Sequence, residues 1–263
     1  MIATTIVRKN RTKRNIDVGY CWEGKEYQKC IEETVTTWDF EDGRQASLRQ
    51  FVLPEGLRMS SQDFESLWNL HPTQRGRFMQ HEVPRWVLSY LVAYTYSGRK
   101  HESAGDVPKE LRKLKAFCDA LGAGSFQQVL VNWYEQRSDN IRAHADNEAV
   151  IKKRSPIISM SFGHTPRTFI VSSPTKVCSN MVRERFVLDD NSVIIMEGDF
   201  QELFKHEVPP LPDKAEPDSE KDDVRRINVT FRQGFDPLEP KKKKEDKKVD
   251  GSRKRKRTET FLL

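Results

Sequence analysis

The sequence predicts an all-β core with flanking helices. From Phe126 onward the text breaks into short strand-like runs at 128–133, 157–162, 168–171, 185–188, 192–196, 202–206 and 227–232. Turn-forming residues separate these runs, among them Asp189-Asp190-Asn191, where Asn can take left-handed backbone at low cost. Helical spacing is confined to two upstream segments. Many short strands joined by turns point to a double-stranded β-helix, a jelly roll of the cupin type.

In chain order, residues 1–59 form an N-terminal extension whose structure the sequence does not define beyond short β-leaning pieces such as 33–38. It opens with the basic cluster Arg8, Lys9, Arg11, Lys13 and Arg14, a contact for phosphates or simply a solvated arm. Ser60 is placed to cap a helix over 61–68 that Pro72 stops. Residues 73–82 are polar, and 84–97 alternate enough for one or two strands. Over 108–121, Leu111, Leu114, Phe117, Cys118 and Leu121 recur at helical spacing, and Gly122 and Gly124 end that helix. The expected central domain is 60–235. It is interrupted by a proline-rich and charged loop at 209–224, and a disordered basic tail follows at 236–263.

Composition limits the classes open to the chain. Its 263 residues can bury one sizeable core, and 36% hydrophobic against 32% charged residues points to disordered ends. No apolar run approaches a membrane span, so no membrane partner is expected. Cys21, Cys30, Cys118 and Cys178 form no C-x-x-C pair, which fits a reducing compartment. Of the net charge of +6, residues 241–263 carry +7, leaving −1 for the rest. The high pI therefore belongs to the tail, where KKKKEDKKVDGSRKRKR reads as a bipartite nuclear-import signal or a generic polybasic segment. An import receptor and a nuclear location are the expectation from it, with a monomer as the expected state.

The chemistry concentrates in His144-Ala-Asp146. On an extended segment these two side chains share a face, and a His with a carboxylate is two thirds of the facial triad that holds Fe(II) with open positions. His206 is the distant candidate for the third ligand. In Arg226-Ile-Asn228-Val-Thr230-Phe-Arg232, two arginines on one strand face can hold a dicarboxylate through forked hydrogen bonds. Each piece alone is common: an H-x-D triplet arises by chance, a lone loop His is usually solvated, and a basic pair usually sits on an exposed face. Their order, embedded in strand-like text, is not.

These residues carry a resemblance. Asn132-x-Tyr134, His144-x-Asp146-x-Glu148, Ser155-Pro156-Ile157-x-Ser159-x-Ser161-Phe162-Gly163, Arg167-x-Phe169 and Arg226-x-Asn228-x-Thr230-Phe231-Arg232 together resemble the AlkB family of Fe(II)/2-oxoglutarate nucleic-acid dealkylases. Val83-Pro84-Arg85 and Tyr94-Thr95-Tyr96-Ser97-Gly98 are similar to its eukaryotic DNA-repair members. The likeness spans roughly residues 60–233.

The resemblance implies Fe(II) on His144, Asp146 and His206, with 2-oxoglutarate and O2 completing the site. Arg226 would take the distal carboxylate of 2-oxoglutarate and Arg232 the iron end, with Asn228, Asn132 and Tyr134 adding neutral hydrogen bonds. The implied reaction is oxidative demethylation of alkylated bases in DNA or RNA, of the 1-methyladenine and 3-methylcytosine kind. Such a base must leave the stack to react. Tyr96 and His144, with Tyr94 nearby, would wall its slot, Glu148 would meet its exocyclic amino group or positive charge, and Arg85 would contact phosphate or the opposite strand. Phe78 or Arg77 would wedge into the duplex. Lys152, Lys153 and Arg154 are either a phosphate grip or a solvated run. The same chemistry on a protein side chain, or a non-enzymatic nucleic-acid-binding module on this fold, are the rival readings.

Overall fold

The computed structural model describes residues 4–78, 81–96, 99–174, 181–212 and 223–234. Strands β1 (Ile6–Trp22), β2 (Lys25–Phe40) and β3 (Gln45–Val52) come first, then helix α1 (Ser61–Trp68). Next are β4 (Arg77–Phe78), β5 (His81–Glu82), β6 (Trp86–Tyr90), β7 (Tyr94–Tyr96), β8 (Arg99–His101) and helix α2 (Lys109–Leu121). The core strands are β9 (Gln128–Tyr134), β10 (Ile141–His144), β11 (Ile157–Phe162), β12 (Arg167–Ser172), β13 (Arg183–Leu188) and β14 (Ser192–Gly198). A short helix α3 (Phe200–Leu203), β15 (Lys205–Val208) and β16 (Arg226–Arg232) complete the chain.

Two sheets face each other. The major sheet runs β1-β2-β3-β14-β11-β16-β9-β6 and the minor sheet β10-β15-β12-β13. This is the expected jelly roll with few helices. Hairpins β4-β5 and β7-β8 stand outside both sheets. Among the described residues, no helix is long and apolar enough to cross a membrane.

The core has two parts because the major sheet is buried on both faces. On β16 the apolar residues Ile227, Val229 and Phe231 point to the helices and pack with Leu111, Leu114 and Phe117 of α2 in one cluster. Between the sheets Trp38, Leu48, Ile157, Phe169, Ile194, Phe200 and Phe204 form the second. The alternate residues Arg226, Asn228, Thr230 and Arg232 are therefore buried too, on the face that looks across to the minor sheet. A polar face buried in this way calls for partners.

The two long helices follow their sequence signals. Ser60 accepts a 3.1 Å hydrogen bond from the Asp63 amide and so caps α1. Asn191 has φ 58° in the turn before β14. The run at 202–206 is a correction: Phe200–Leu203 is a helical turn, and the strand starts only at Lys205. Phe200, Leu203 and Phe204 recur at i, i+3 and i+4, and this period turns all three into the inter-sheet core.

The N-terminal segment, in which the sequence shows only short β-leaning pieces, forms three strands continuous with the major sheet, and the piece at 33–38 lies in β2. Glu23 and Gly24 at φ 50° and 72° make the hairpin turn between β1 and β2, and β3 pairs with β14 from Val52–Ser192 to Ala46–Gly198. Buried Glu33 bridges Arg14 at 2.8 Å and Arg49 at 2.8 Å, and Arg49 reaches Glu197 of β14 at 2.9 Å. Of the basic cluster, Lys9 pairs with Glu184, Lys13 with Glu32 and Arg14 with Glu33.

Candidate active site

The polar face of the major sheet is built by register. Arg226 stands opposite Tyr134, Asn228 opposite Asn132 and Arg232 opposite Gln128 on β9, while Ser161 stands opposite Asn228 on β11. Across the gap, the minor sheet pairs His144 of β10 directly with His206 of β15. Asn132, Tyr134, His144, Asp146, His206, Arg226, Asn228 and Arg232 line the resulting cavity.

His144, Asp146 and His206 converge, with one ligand atom from each lying within 4.8 Å of the others. The Asp146 carboxylate is 3.8 Å from Nε2 of each imidazole, too far for a hydrogen bond. The three donors therefore aim at a common point without satisfying one another. Burial pushes His206 down to about 3 and lowers His144 as well, so both rings are neutral. Burial works to raise Asp146, but Arg232 and the two imidazoles override it and hold the carboxylate below its usual range. Two neutral imidazoles and an ionised carboxylate suit a divalent first-row metal such as Fe(II). Nδ1 of His144 lies 2.8 Å from the Arg142 carbonyl oxygen, which orients that ring.

The two arginines of β16 differ. Arg232 donates to Asp146 at 2.6 Å and to Gln128 at 3.4 Å, which ties it to the metal end. Arg226, at the other end, donates to Ser161 at 2.8 Å, and its guanidinium lies 4.9 Å over the Tyr134 ring. Its Nε and Nη1 are buried without a hydrogen-bond partner, and burial lowers its pKa. Asn228 donates to Ser159 and to the Met160 carbonyl oxygen, both at 2.8 Å. An anion between Arg226 and the metal donors would meet positive charge at both ends.

The remaining residues divide. Arg85, expected against phosphate, is corrected: it is buried, and its Nε donates to Asn132 at 2.8 Å. It sits in the bend just before Trp86 starts β6 against β9, the strand that carries Asn132. Glu148 is half-buried in the loop after Asp146. Phe78 lies in β4, and Tyr94 and Tyr96 in β7, but their side chains fall outside the described residues, as do the tail and most of the 209–224 loop. Arg154 pairs with Asp199, and Lys153 lies 3.9 Å from Glu202, so this basic run is partly neutralised. Sequence reasoning gave no role to Ser159, Ser161, Gln128 or Arg167, although the alternation along β9 and β11 marks the first three.

Comparison with known proteins places this geometry. The 2OG-Fe(II) oxygenase superfamily matches residues 55–232. Human alpha-ketoglutarate-dependent dioxygenase alkB homolog 3 is 31% identical over 158 residues, 58% of this chain and 52% of that one. The DNA oxidative demethylase ALKBH2 of mouse is 31% identical over 159 residues, covering 58% and 62%. Its Arabidopsis thaliana namesake is 30% identical over 165 residues, covering 55% and 50%. The chain thus spans about half to three-fifths of the length of these relatives. With the family's match covering most of the jelly roll and every residue of the His-Asp-His cluster, the chain belongs to the 2OG-Fe(II) oxygenase superfamily.

Proposed function

We propose that this chain is an Fe(II)- and 2-oxoglutarate-dependent dioxygenase that demethylates alkylated bases in nucleic acid, namely N-methylated adenine and cytosine in DNA. The observation that carries the reading is the pairing of the His144-Asp146-His206 cluster with a buried Arg226, whose Nε and Nη1 have no hydrogen-bond partner, at the far end of one cavity. Names of the relatives above, a DNA oxidative demethylase among them, support the choice of substrate class.

When bound, Fe(II) with 2-oxoglutarate and O2 supplies the oxidising equivalent, releasing succinate and CO2 and inserting one oxygen into an N-alkyl C–H bond. The protein's share is positioning. Arg226, Tyr134 and Asn132 hold the distal carboxylate, and Arg232 fixes both Asp146 and the acidic end of the co-substrate. Burial keeps His144 and His206 unprotonated and ready to coordinate. The hydroxymethylated base then loses formaldehyde, and the ring nitrogen regains a lone pair or a proton. Glu148, two residues beyond Asp146 and half-buried, is the carboxylate that would meet an alkylated base, whose positive charge separates it from the normal one.

The decisive experiment is release of formaldehyde and succinate by purified protein with Fe(II), 2-oxoglutarate and a 1-methyladenine oligonucleotide, run in DNA and RNA forms. Release that needs both iron and the methylated strand supports the reading, and faster turnover of the RNA form would replace DNA as substrate. Succinate without loss of methyl would sink the base-demethylase proposal. The tail at 241–263 gives the companion proposal of nuclear import. A fluorescent fusion lacking 241–263 is expected to leave the nucleus while its turnover in vitro is unchanged, and an unaltered distribution removes that proposal.

A further inference from the structure

Arg167 opens β12 in the minor sheet and is 2% exposed. Its Nη2 donates to the carbonyl oxygens of Asp139 and Pro209, both at 2.7 Å. The guanidinium lies 5.5 Å from the centre of the Tyr134 ring, the same ring that Arg226 covers at 4.9 Å. Two buried cations thus share one phenol. Nε and Nη1 of Arg167, like those of Arg226, have no hydrogen-bond partner. The acidic side chain nearest in effect, Asp139, is already held by Arg75 through bonds of 2.7 and 2.9 Å.

Buried charges of one sign, side by side without a carboxylate, are costly unless an anion joins them. The strain is visible: burial first, and Arg226 second, push Arg167 down to about 10. A helical or strand scaffold has no need of such a pair. Its carbonyl contacts alone could be made by a single neutral donor.

We infer that Arg167 is a positioning residue for the distal carboxylate of 2-oxoglutarate, acting across Tyr134, so that Arg167 and Arg226 form a two-cation clamp whose shared counter-charge is the co-substrate. The inference rests on the co-substrate reading above. Tyr134 and Arg226 line the cavity and Arg167 does not, so Arg167 touches no ligand. It holds the phenol from behind and adds its field to that of Arg226. Its link to Pro209 and Asp139 also fixes the segments that follow β15 and β9. The clamp makes the site select 2-oxoacids that carry a second carboxylate.

The test is equilibrium binding to Mn(II)-loaded protein without O2, for 2-oxoglutarate and for 2-oxobutyrate, which keeps the metal-binding 2-oxoacid end but lacks the distal carboxylate. Arg167→Met should weaken 2-oxoglutarate about tenfold, the scale of a charge removed from beyond contact, at about 10 Å, in an interior of effective dielectric about 20, and leave 2-oxobutyrate unchanged. Arg167→Lys should recover part of the loss and carries the same comparison if the methionine variant does not fold. An equal loss for both ligands means that Arg167 only supports the fold and overturns the inference, as does no loss for either. Wild-type protein that binds 2-oxobutyrate and 2-oxoglutarate equally overturns the clamp while keeping the metal site. Wild-type protein that binds neither overturns the co-substrate reading and this inference together.

Discussion

At the scale of single residues, the site pairs Asp146 with Arg232 but leaves Nε2 of each imidazole 3.8 Å from that carboxylate, and Nε and Nη1 of Arg226 without a hydrogen-bond partner. Asp146 holds the geometry together because it faces both imidazoles and receives the 2.6 Å bond from Arg232. Asp146→Ala is expected to abolish divalent-metal binding and turnover. It also strands a buried arginine, which costs about 3 kcal/mol or more. Co(II) absorption and thermal melting of the apo protein check the two halves separately, and a variant that still binds Co(II) normally would remove Asp146 from the ligand set. Protonation gives a second handle. His206 falls to about 3 in the fold, mainly through burial, against an ordinary 6.5. Below about pH 6.5 the unfolded chain takes up a proton that the folded one refuses, so apo stability drops as pH falls through that window. The melting temperature of the apo protein should decline from pH 7 to pH 5, with a shallower slope in His206→Gln.

At the scale of elements, β16 explains why one seven-residue strand serves both stability and chemistry. Its odd-numbered residues face the helices and its even-numbered ones the cavity, so any shift along the strand disturbs both. Gly163 guards the start of this strand. Its φ is +133°, and an added Cβ would lie 2.4 Å from the Arg225 carbonyl oxygen and 3.1 Å from Arg226 Cα. Gly163→Ala must therefore displace the backbone that carries Arg226. We expect a loss of about 2–3 kcal/mol in stability, the cost of strained backbone plus overpacking, together with weaker 2-oxoglutarate binding. Denaturant melts and co-substrate titration of the same variant test it; unchanged binding would show that Arg226 is anchored independently of the turn.

At the scale of the whole molecule, residues 6–52 are part of the sandwich even though the family match begins only at residue 55. Trp38 and Leu48 are fully buried between the sheets, and β3 covers the edge that β14 would otherwise expose. A chain starting at residue 55 should therefore lose its cooperative melting transition and aggregate, since an uncovered strand edge pairs with other chains. Soluble, cooperatively folded 55–263 would show instead that the N-terminal strands are an accessory.

Sequence alone determined the chemistry and the class of fold. His144-x-Asp146, His206 and the alternation of Arg226, Asn228, Thr230 and Arg232 are local patterns, and period-two spacing already says which side chains share a face. Helix α1 was legible from Ser60, and α2 from the spacing of its apolar residues, for the same reason: a cap or a period acts over a few residues. What needed tertiary structure was everything set by pairing across the chain. The β1 strand is exposed along most of its length, so no alternation marked it, and only its partner β2 makes it a strand. Arg85 reads as a surface cation until β6 pairs with β9 and turns it toward Asn132. Arg167 and Arg226 lie far apart in sequence and on opposite sheets, and the packing of those sheets alone brings both onto Tyr134. Local periodicity is written in the sequence, whereas the partner across a sheet is chosen by the burial of the whole core.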